Sequence, residues 1–233
     1  MKKIIIAPLC GLSALLTLTG CSTPSSTPAE SPAVATASPA ANTPSETPME
    51  MDVPPSVMPA DLIPAGLDTS GSGTKWGFIS AQGAVGVFRL PSEESDYCKK
   101  ANAHLKKSYT VNKLDGFTPY KCVTVAVDNR QGQGTVNMYG LQLLDSEGKA
   151  YDSVGLSDDK GWMYSGKNYE GGDTTVYNEG VELSNSGNEF YLNPGAKGKK
   201  TLFFKEIPAN PAHVWVMPNG GFEQVEAMPV GEL

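Results

Sequence analysis

Serine and lysine occur twice at the spacing that penicillin-recognising enzymes use, as Ser146–Lys149 and Ser157–Lys160. In those enzymes the serine is the nucleophile, and Ser-Asp-Asn and Lys-Thr-Gly elements complete the site. Here the first pair lies in a predicted turn, neither pair opens a long helix, and both companion elements are missing. The Cys-x-x-Cys, His-Glu-x-x-His and Gly-x-Ser-x-Gly signatures are missing as well. The sequence therefore predicts a protein that is not an enzyme.

Histidines and acidic residues are the other groups that could bind a metal. His104 lies among lysines and His213 at the start of a predicted strand, so both are interpreted as surface or packing residues. The segment 145–189 carries ten acids against three lysines, which suits either a calcium site or a solvated acidic face. It lacks the alternating Asp/Asn spacing and closing Glu of an EF-hand loop. We predict the acidic face, with no metal site and no cofactor.

The N-terminus has the pattern of an export signal. Lys2 and Lys3 precede an apolar run, Ile4–Leu18, that is too short to span a bilayer comfortably. Leu18-Thr19-Gly20-Cys21 then resembles the bacterial lipobox, and this resemblance implies that Cys21 receives a diacylglycerol thioether and begins the mature chain. Two acyl chains hold a protein on a membrane where one chain is marginal. The alternative is an ordinary cleaved signal with an incidental cysteine.

Composition separates a linker from a domain. Residues 21–74 are rich in Ser, Thr, Ala and Pro and contain no aromatic residue, so they cannot bury enough apolar surface to order themselves. We predict a lipidated N-terminus and disordered tether there, after a signal peptide over residues 1–20. The mature chain has 16 basic and 25 acidic side chains, a net charge of −9, which argues against nucleic acid as a partner. The segment 75–233 is long enough to form one domain with its own core.

Two cysteines, Cys98 and Cys122, remain after lipidation of Cys21 and loss of Cys10 with the signal peptide. In an exported protein, pairing of the last two cysteines is the default. A disulfide that closes a loop of about 25 residues contributes roughly 3 kcal/mol in the chain-entropy model. Two buried free thiols are the alternative.

In residues 75–233, apolar and polar residues alternate mostly with period two. This pattern predicts an all-β, antiparallel immunoglobulin-like β-sandwich. In YKCVTVAVDN, the side chains alternate between the two faces of a strand. Val123, Val125 and Val127 fall on one face, and Cys122, Thr124 and Ala126 fall on the other. One short helix is predicted after Pro91, because acids open the segment, lysines close it and apolar residues recur every four positions. Further strands are predicted in KWGFISAQGAVGVFRL, TVNMYGLQLLD, KAYDSV, TTVYNEGVEL, KKTLFFKEI and HVWVMP.

Trp162, Tyr164 and Tyr169 stand among glycines in GWMYSGKNYEGGD. Aromatic rings on a glycine-rich loop commonly form a partner-binding surface, because they supply contact area at low entropic cost. The same rings also suit a cap over the core. Core capping is the preferred interpretation of these rings, and the loop is kept as the candidate partner-binding site.

From Tyr120 to about Val216 the layout resembles telokin-like or immunoglobulin-like domains of unknown function on bacterial surface lipoproteins. The segments YKCVTVAVDN, LQLLDSEGKAYD and NPGAKGKKTLFFKEIP carry this resemblance. It implies a sandwich fold and non-catalytic binding or display, and it brings no catalytic residues.

The expected function is therefore a lipoprotein on the extracytoplasmic face of the cell membrane, held there by diacylglycerol on Cys21. Its domain is expected to bind an envelope protein or glycan. The alternatives are a cell-envelope hydrolase with an unrecognised site and a structural accessory subunit of an envelope complex.

Overall fold

The computed structural model describes residues 55–163, 174–187 and 190–231. Within these ranges the chain forms eight strands, two α-helices and two short 3-10 turns at Ala60–Leu62 and Leu156–Asp158. In chain order the strands and helices are β1 (Thr74–Ile79), β2 (Val85–Leu90), α1 (Asp96–Val111), β3 (Lys121–Asp128), β4 (Gly140–Leu144), β5 (Ala150–Asp152), α2 (Thr175–Gly187), β6 (Lys197–Phe204), β7 (His213–Gly221) and β8 (Val225–Pro229).

The strands form one antiparallel sheet in the order β5-β4-β7-β8-β1-β2-β3-β6. This sheet curls until it is nearly closed into a barrel, and two helices accompany it. The prediction of an all-β immunoglobulin-like sandwich with one helix is therefore wrong. Its basis was the period-two alternation, which every half-buried strand shows whether its sheet curls into a barrel or packs on a second sheet.

The barrel closes between the β4–β5 side and β6, a region that we call the seam. Two isolated bridges span it in place of a continuous ladder. The bridge between Val136 and Leu192 lies at one end, and the bridge between Val154 and Phe203 lies at the other. Because single bridges alone close the seam within the described residues, the barrel wall there is open between them.

The inside of the barrel is filled by apolar side chains from every part of the sheet. As predicted, Val123, Val125 and Val127 share one face of β3, and each is fully buried among rings such as Phe78 and Phe88. Cys122 and Ala126, on the opposite face of β3, are buried too. They are covered from outside by α1 and by the segment before β1, respectively. Both faces of β3 therefore lie in apolar surroundings.

Helix α1 confirms the helix predicted after Pro91. The Ser95 hydroxyl caps it by accepting a hydrogen bond from the Cys98 backbone N–H at 3.2 Å. Its buried face carries Cys98, Ala101 and Leu105, which pack on the outside of the barrel. The predicted disulfide between Cys98 and Cys122 is confirmed, with 6.2 Å between the Cα atoms, and it ties α1 to β3.

Helix α2 corrects the prediction of a strand in TTVYNEGVEL. Val176 and Gly180 are buried four residues apart, and partly buried Leu183 continues the same face towards α1. A Cβ on Gly180 would lie 2.5 Å from the carbonyl oxygen of Trp162 and 2.9 Å from Nε2 of His104, so the close approach of α2 requires glycine. The Tyr97 hydroxyl donates to the Leu183 carbonyl at 3.0 Å, and burial raises the pKa of Tyr97 to about 12.

Both ends of the described domain extend beyond the predicted strands. The C-terminal strand β8 was not predicted, and it joins β7 to β1. Residues 55–73, placed in the tether by composition, pack on the barrel: Met58 pairs with Val230, and buried Leu67 lies against Val87 on β2. The packed region therefore begins before Lys75.

Candidate binding site at the barrel seam

A β-bulge at the rim of the seam begins the site. The backbone N–H groups of Asn137 and Met138 both donate to the carbonyl oxygen of Pro218, at 3.0 and 3.2 Å. Two residues thus oppose one, and Pro218 itself has no N–H to donate to a regular ladder. Met138 has a φ of 43°, a left-handed conformation that is uncommon for a residue with a side chain. Backbone strain of this kind concentrates at functional sites.

The bulge changes which side chains point outward. Val136 and Met138 belong to the barrel core, and so do Leu141 and Leu143, so the inward alternation slips by one residue between Met138 and Leu141. Tyr139 lies at the slip and is 71% exposed. The next residue, Gly140, is pressed against the residue that follows β5: a Cβ there would lie 2.8 Å from the Ser153 hydroxyl. The bulge therefore presents Tyr139 at the surface, which is a common use of bulges at barrel rims.

A cleft of about 740 Å³ opens in the wall between the two closing bridges. Two exposed tyrosines line it, Tyr139 and Tyr191, and Tyr191 is 72% exposed. Core residues Met138 and Leu202 also line the cleft, so it reaches the barrel interior. The other lining residues are Asn137, Gly140, Ser153, Val154, Gly155, Leu156, Ser157, Asp158, Phe190, Lys200, Thr201, Phe203 and Met217. This size and mixed lining are typical of a small-molecule site.

One cation and one anion lie in the lining. Lys200 Nζ donates to the carbonyl oxygen of Gly187 at 3.2 Å, and burial lowers the pKa of Lys200. Asp158 stands in the 3-10 turn on the opposite side of the seam from β6. The remaining polar side chains are the amide of Asn137 and the hydroxyls of Ser153, Ser157 and Thr201. The cleft therefore carries hydrogen-bonding groups without an excess of either charge.

The wall that contains the 3-10 turn is fixed from behind by Asp159. Its two carboxylate oxygens accept hydrogen bonds from the hydroxyls of Tyr109 and Tyr120, at 3.0 and 2.8 Å, and it also accepts from the Gly161 N–H at 2.8 Å. Burial raises the pKa of both tyrosines, and the bonds to Asp159 raise it further. The turn is thereby anchored to α1 and to the residue that precedes β3.

The structure places Trp162 in the core and not on a partner-binding surface. Its side chain is 0% exposed, packs edge-to-face on His104 at 5.1 Å between ring centroids, and donates from Nε1 to the Ser184 hydroxyl at 2.8 Å. A ring with no accessible surface cannot contact a partner, so Trp162 is a core residue, as the core-capping alternative has it. Tyr164 and Tyr169 lie outside the described residues, as does Cys21.

The remaining candidates do not form a catalytic group. His104 is buried, with Nε2 2.8 Å from the Trp162 carbonyl oxygen, and exposed His213 pairs with Glu226 at 2.7 Å. Ser157 lines the cleft, but Lys160 donates instead to the Asp115 carbonyl at 2.9 Å. Within residues 55–163, 174–187 and 190–231, no three His, Cys, Asp or Glu side chains are placed to hold a metal ion.

Sequence reasoning missed the seam tyrosines, although one signal for Tyr139 was present. In VNMYGLQL the apolar positions Val136 and Met138 are out of phase with Leu141 and Leu143, which indicates a bulge. Tyr191 gave no comparable signal, because its segment is joined to the sheet by a single bridge at Leu192.

Comparison of the chain with protein-family models, curated proteins and solved structures found no match. The resemblance to telokin-like domains therefore receives no support from known relatives, and the sandwich that it implied is not the observed fold. No helix in the described part of the chain has the length and apolar character needed to cross a bilayer. Any function must be argued from the site itself.

Proposed function

We propose that this protein is an extracytoplasmic lipoprotein, anchored by diacylglycerol on Cys21, whose domain binds a ligand in the seam cleft without catalysis. The observation that carries the proposal is the strained bulge at Met138, which presents Tyr139 beside a cleft of about 740 Å³. A buried non-glycine residue with a φ of 43° costs about 1–3 kcal/mol and persists only where the surrounding structure holds it in place. A binding role explains why this geometry is present at the rim.

Two further observations support the location. The sequence Leu18-Thr19-Gly20-Cys21 is the lipobox pattern, and the Cys98–Cys122 disulfide suits an oxidising compartment outside the cytoplasm. The predicted partner of the anchor is the membrane, and the partner of the domain is a component of the envelope.

Fatty-acid labelling tests the anchor. Cells that make Cys21→Ala should incorporate no labelled palmitate into the protein and should release it from the membrane fraction. Cys10→Ala is the matched control, because Cys10 lies in the apolar run of the signal and its loss should leave labelling intact. Labelling that survives in Cys21→Ala would end the lipoprotein proposal.

Methionine methyl NMR tests the cleft. We expect a soluble extract of the producing cell's envelope to shift the methyl resonances of Met138 and Met217, which line the cleft. Met58 and Met228 do not line it and serve as internal controls, so their resonances should stay in place. No shift at all, or shifts confined to the control methionines, would contradict binding in the cleft.

A further inference from the structure

We infer that the ligand of the seam cleft is an uncharged saccharide that packs one or two sugar rings against Tyr139 and Tyr191. This inference rests on the proposed binding function and adds the chemical class of the ligand. It follows from the shape of the opening, from its exposed rings and from its charges.

The shape disfavours an extended peptide as the ligand. Peptides commonly bind by adding a strand to a sheet edge. At the seam, an added strand would run beside β6, but the bridges Val136–Leu192 and Val154–Phe203 close the opening at both ends. Phe203 already uses its carbonyl oxygen to accept from the Val154 N–H at 2.8 Å. A strand added to β6 would therefore have to fit between these two bridges, whereas a compact ring can enter from the outer face.

The exposed rings favour a ligand with one apolar and one polar face. Tyr139 and Tyr191 are both more than two-thirds exposed in a structure that buries most of its other large apolar side chains. A tyrosine ring presents a flat apolar body and a polar hydroxyl, so it packs well on an amphipathic partner. A pyranose ring has this character, because its axial C–H groups form an apolar face and its hydroxyls lie around the edge.

The charges disfavour phosphate or other polyanionic ligands. Such ligands are recognised by clustered arginines or by several lysines. The cleft has Lys200 as its one cation among the lining residues that the structure describes, and Asp158 as the matching anion. The Asn137 Oδ1 and Ser153 Oγ atoms already accept backbone N–H groups, at 3.1 and 3.0 Å. The Asn137 Nδ2 group and the hydroxyls of Ser153 and Ser157 can still donate to the hydroxyl and acetamido oxygens of a saccharide.

A glycan array tests the inference. Full-length protein in detergent should bind neutral or N-acetylated mono- to tetrasaccharides on the array. For the strongest of them, Tyr139→Ala and Tyr191→Ala should each raise the dissociation constant by about tenfold or more, as loss of a ring at the centre of a contact does. Phe222→Ala is the matched control: Phe222 is fully exposed and does not line the cleft, so affinity should be unchanged.

The outcomes separate this inference from the proposed function. If no saccharide binds, or if binding survives both tyrosine substitutions, the saccharide inference is wrong. If acetyl-Val-Thr-Val-Thr-amide or inorganic phosphate binds in place of saccharides and needs the tyrosines, the ligand class is wrong but the cleft still binds. Melting temperatures of the tyrosine variants should match the wild type, because both side chains are exposed.

Discussion

Replacing Trp162 with alanine should destabilise the domain strongly. The ring is fully buried, and it lies where α1, α2 and the loop after the 3-10 turn meet. Truncation of a buried aromatic side chain to alanine costs about 3–5 kcal/mol, because burial is lost and a cavity remains. For a domain of this size, that loss lowers the melting temperature by about 10 °C.

Replacing Trp162 with phenylalanine separates the cost of losing the hydrogen bond from the cost of losing the buried ring. Phenylalanine keeps an aromatic ring on His104 but removes the Nε1 donor that binds the Ser184 hydroxyl at 2.8 Å. Loss of one hydrogen bond costs about 1 kcal/mol, so Trp162→Phe should fall between the wild type and Trp162→Ala.

Urea unfolding followed by circular dichroism measures the free energy of unfolding of both variants and does not depend on tryptophan fluorescence. Phe222→Ala is the control, because an exposed side chain away from packed features changes stability by about 0.5 kcal/mol or less. A cost below about 1 kcal/mol for Trp162→Ala would refute the assignment of this ring to the core.

Three other variants test the packing and the charges. Replacing Cys98 and Cys122 together by alanine should cost about 3 kcal/mol in the chain-entropy model, measured by urea unfolding under oxidising conditions, and reductant should then have no further effect. Gly180→Ala should destabilise by about 1–3 kcal/mol despite the better helix propensity of alanine, because the added Cβ meets backbone at 2.5 Å. Hydrogen bonds from Arg130 lower the pKa of Asp128 below its ordinary 3.8, so the ionised carboxylate stabilises the fold above that pH. The stability of the wild type relative to Asp128→Asn should be constant above about pH 5 and should be lost as the pH falls through the lowered pKa.

Secondary structure could be predicted where only one kind of element explains the order of apolar and charged residues. The alternation of Val123, Val125 and Val127 identified β3, and the acids that open the segment after Pro91 identified α1. The lysines that were predicted to close this helix lie inside it, because it continues to Val111 and has no basic residue in its last turn. The number of sheets could not be predicted, since strands in a barrel and in a sandwich alternate alike. The segment TTVYNEGVEL was predicted as a strand but forms helix α2. Its β-branched and aromatic residues favour a strand locally, whereas contacts with α1 stabilise the helix.

The site was less predictable than the fold. The cleft depends on residues from distant parts of the chain that line one opening only when the barrel curls, such as Tyr139 and Tyr191, or Lys200 and Asp158. The glycine-rich setting of Trp162 suggested a mobile loop, but the ring is held in the core by His104 and Ser184. Exposure therefore has to be taken from the tertiary structure and not from neighbouring glycines.

Hydroxyl-radical footprinting in intact cells tests the central claim, that the seam cleft binds an envelope component. Side-chain oxidation of Tyr139, Tyr191 and Phe222, all exposed in the free protein, is compared between the producing cells and the purified protein. We predict that Tyr139 and Tyr191 are protected in cells while Phe222 reacts equally in both. Equal oxidation of all three residues in cells and in solution would contradict the claim.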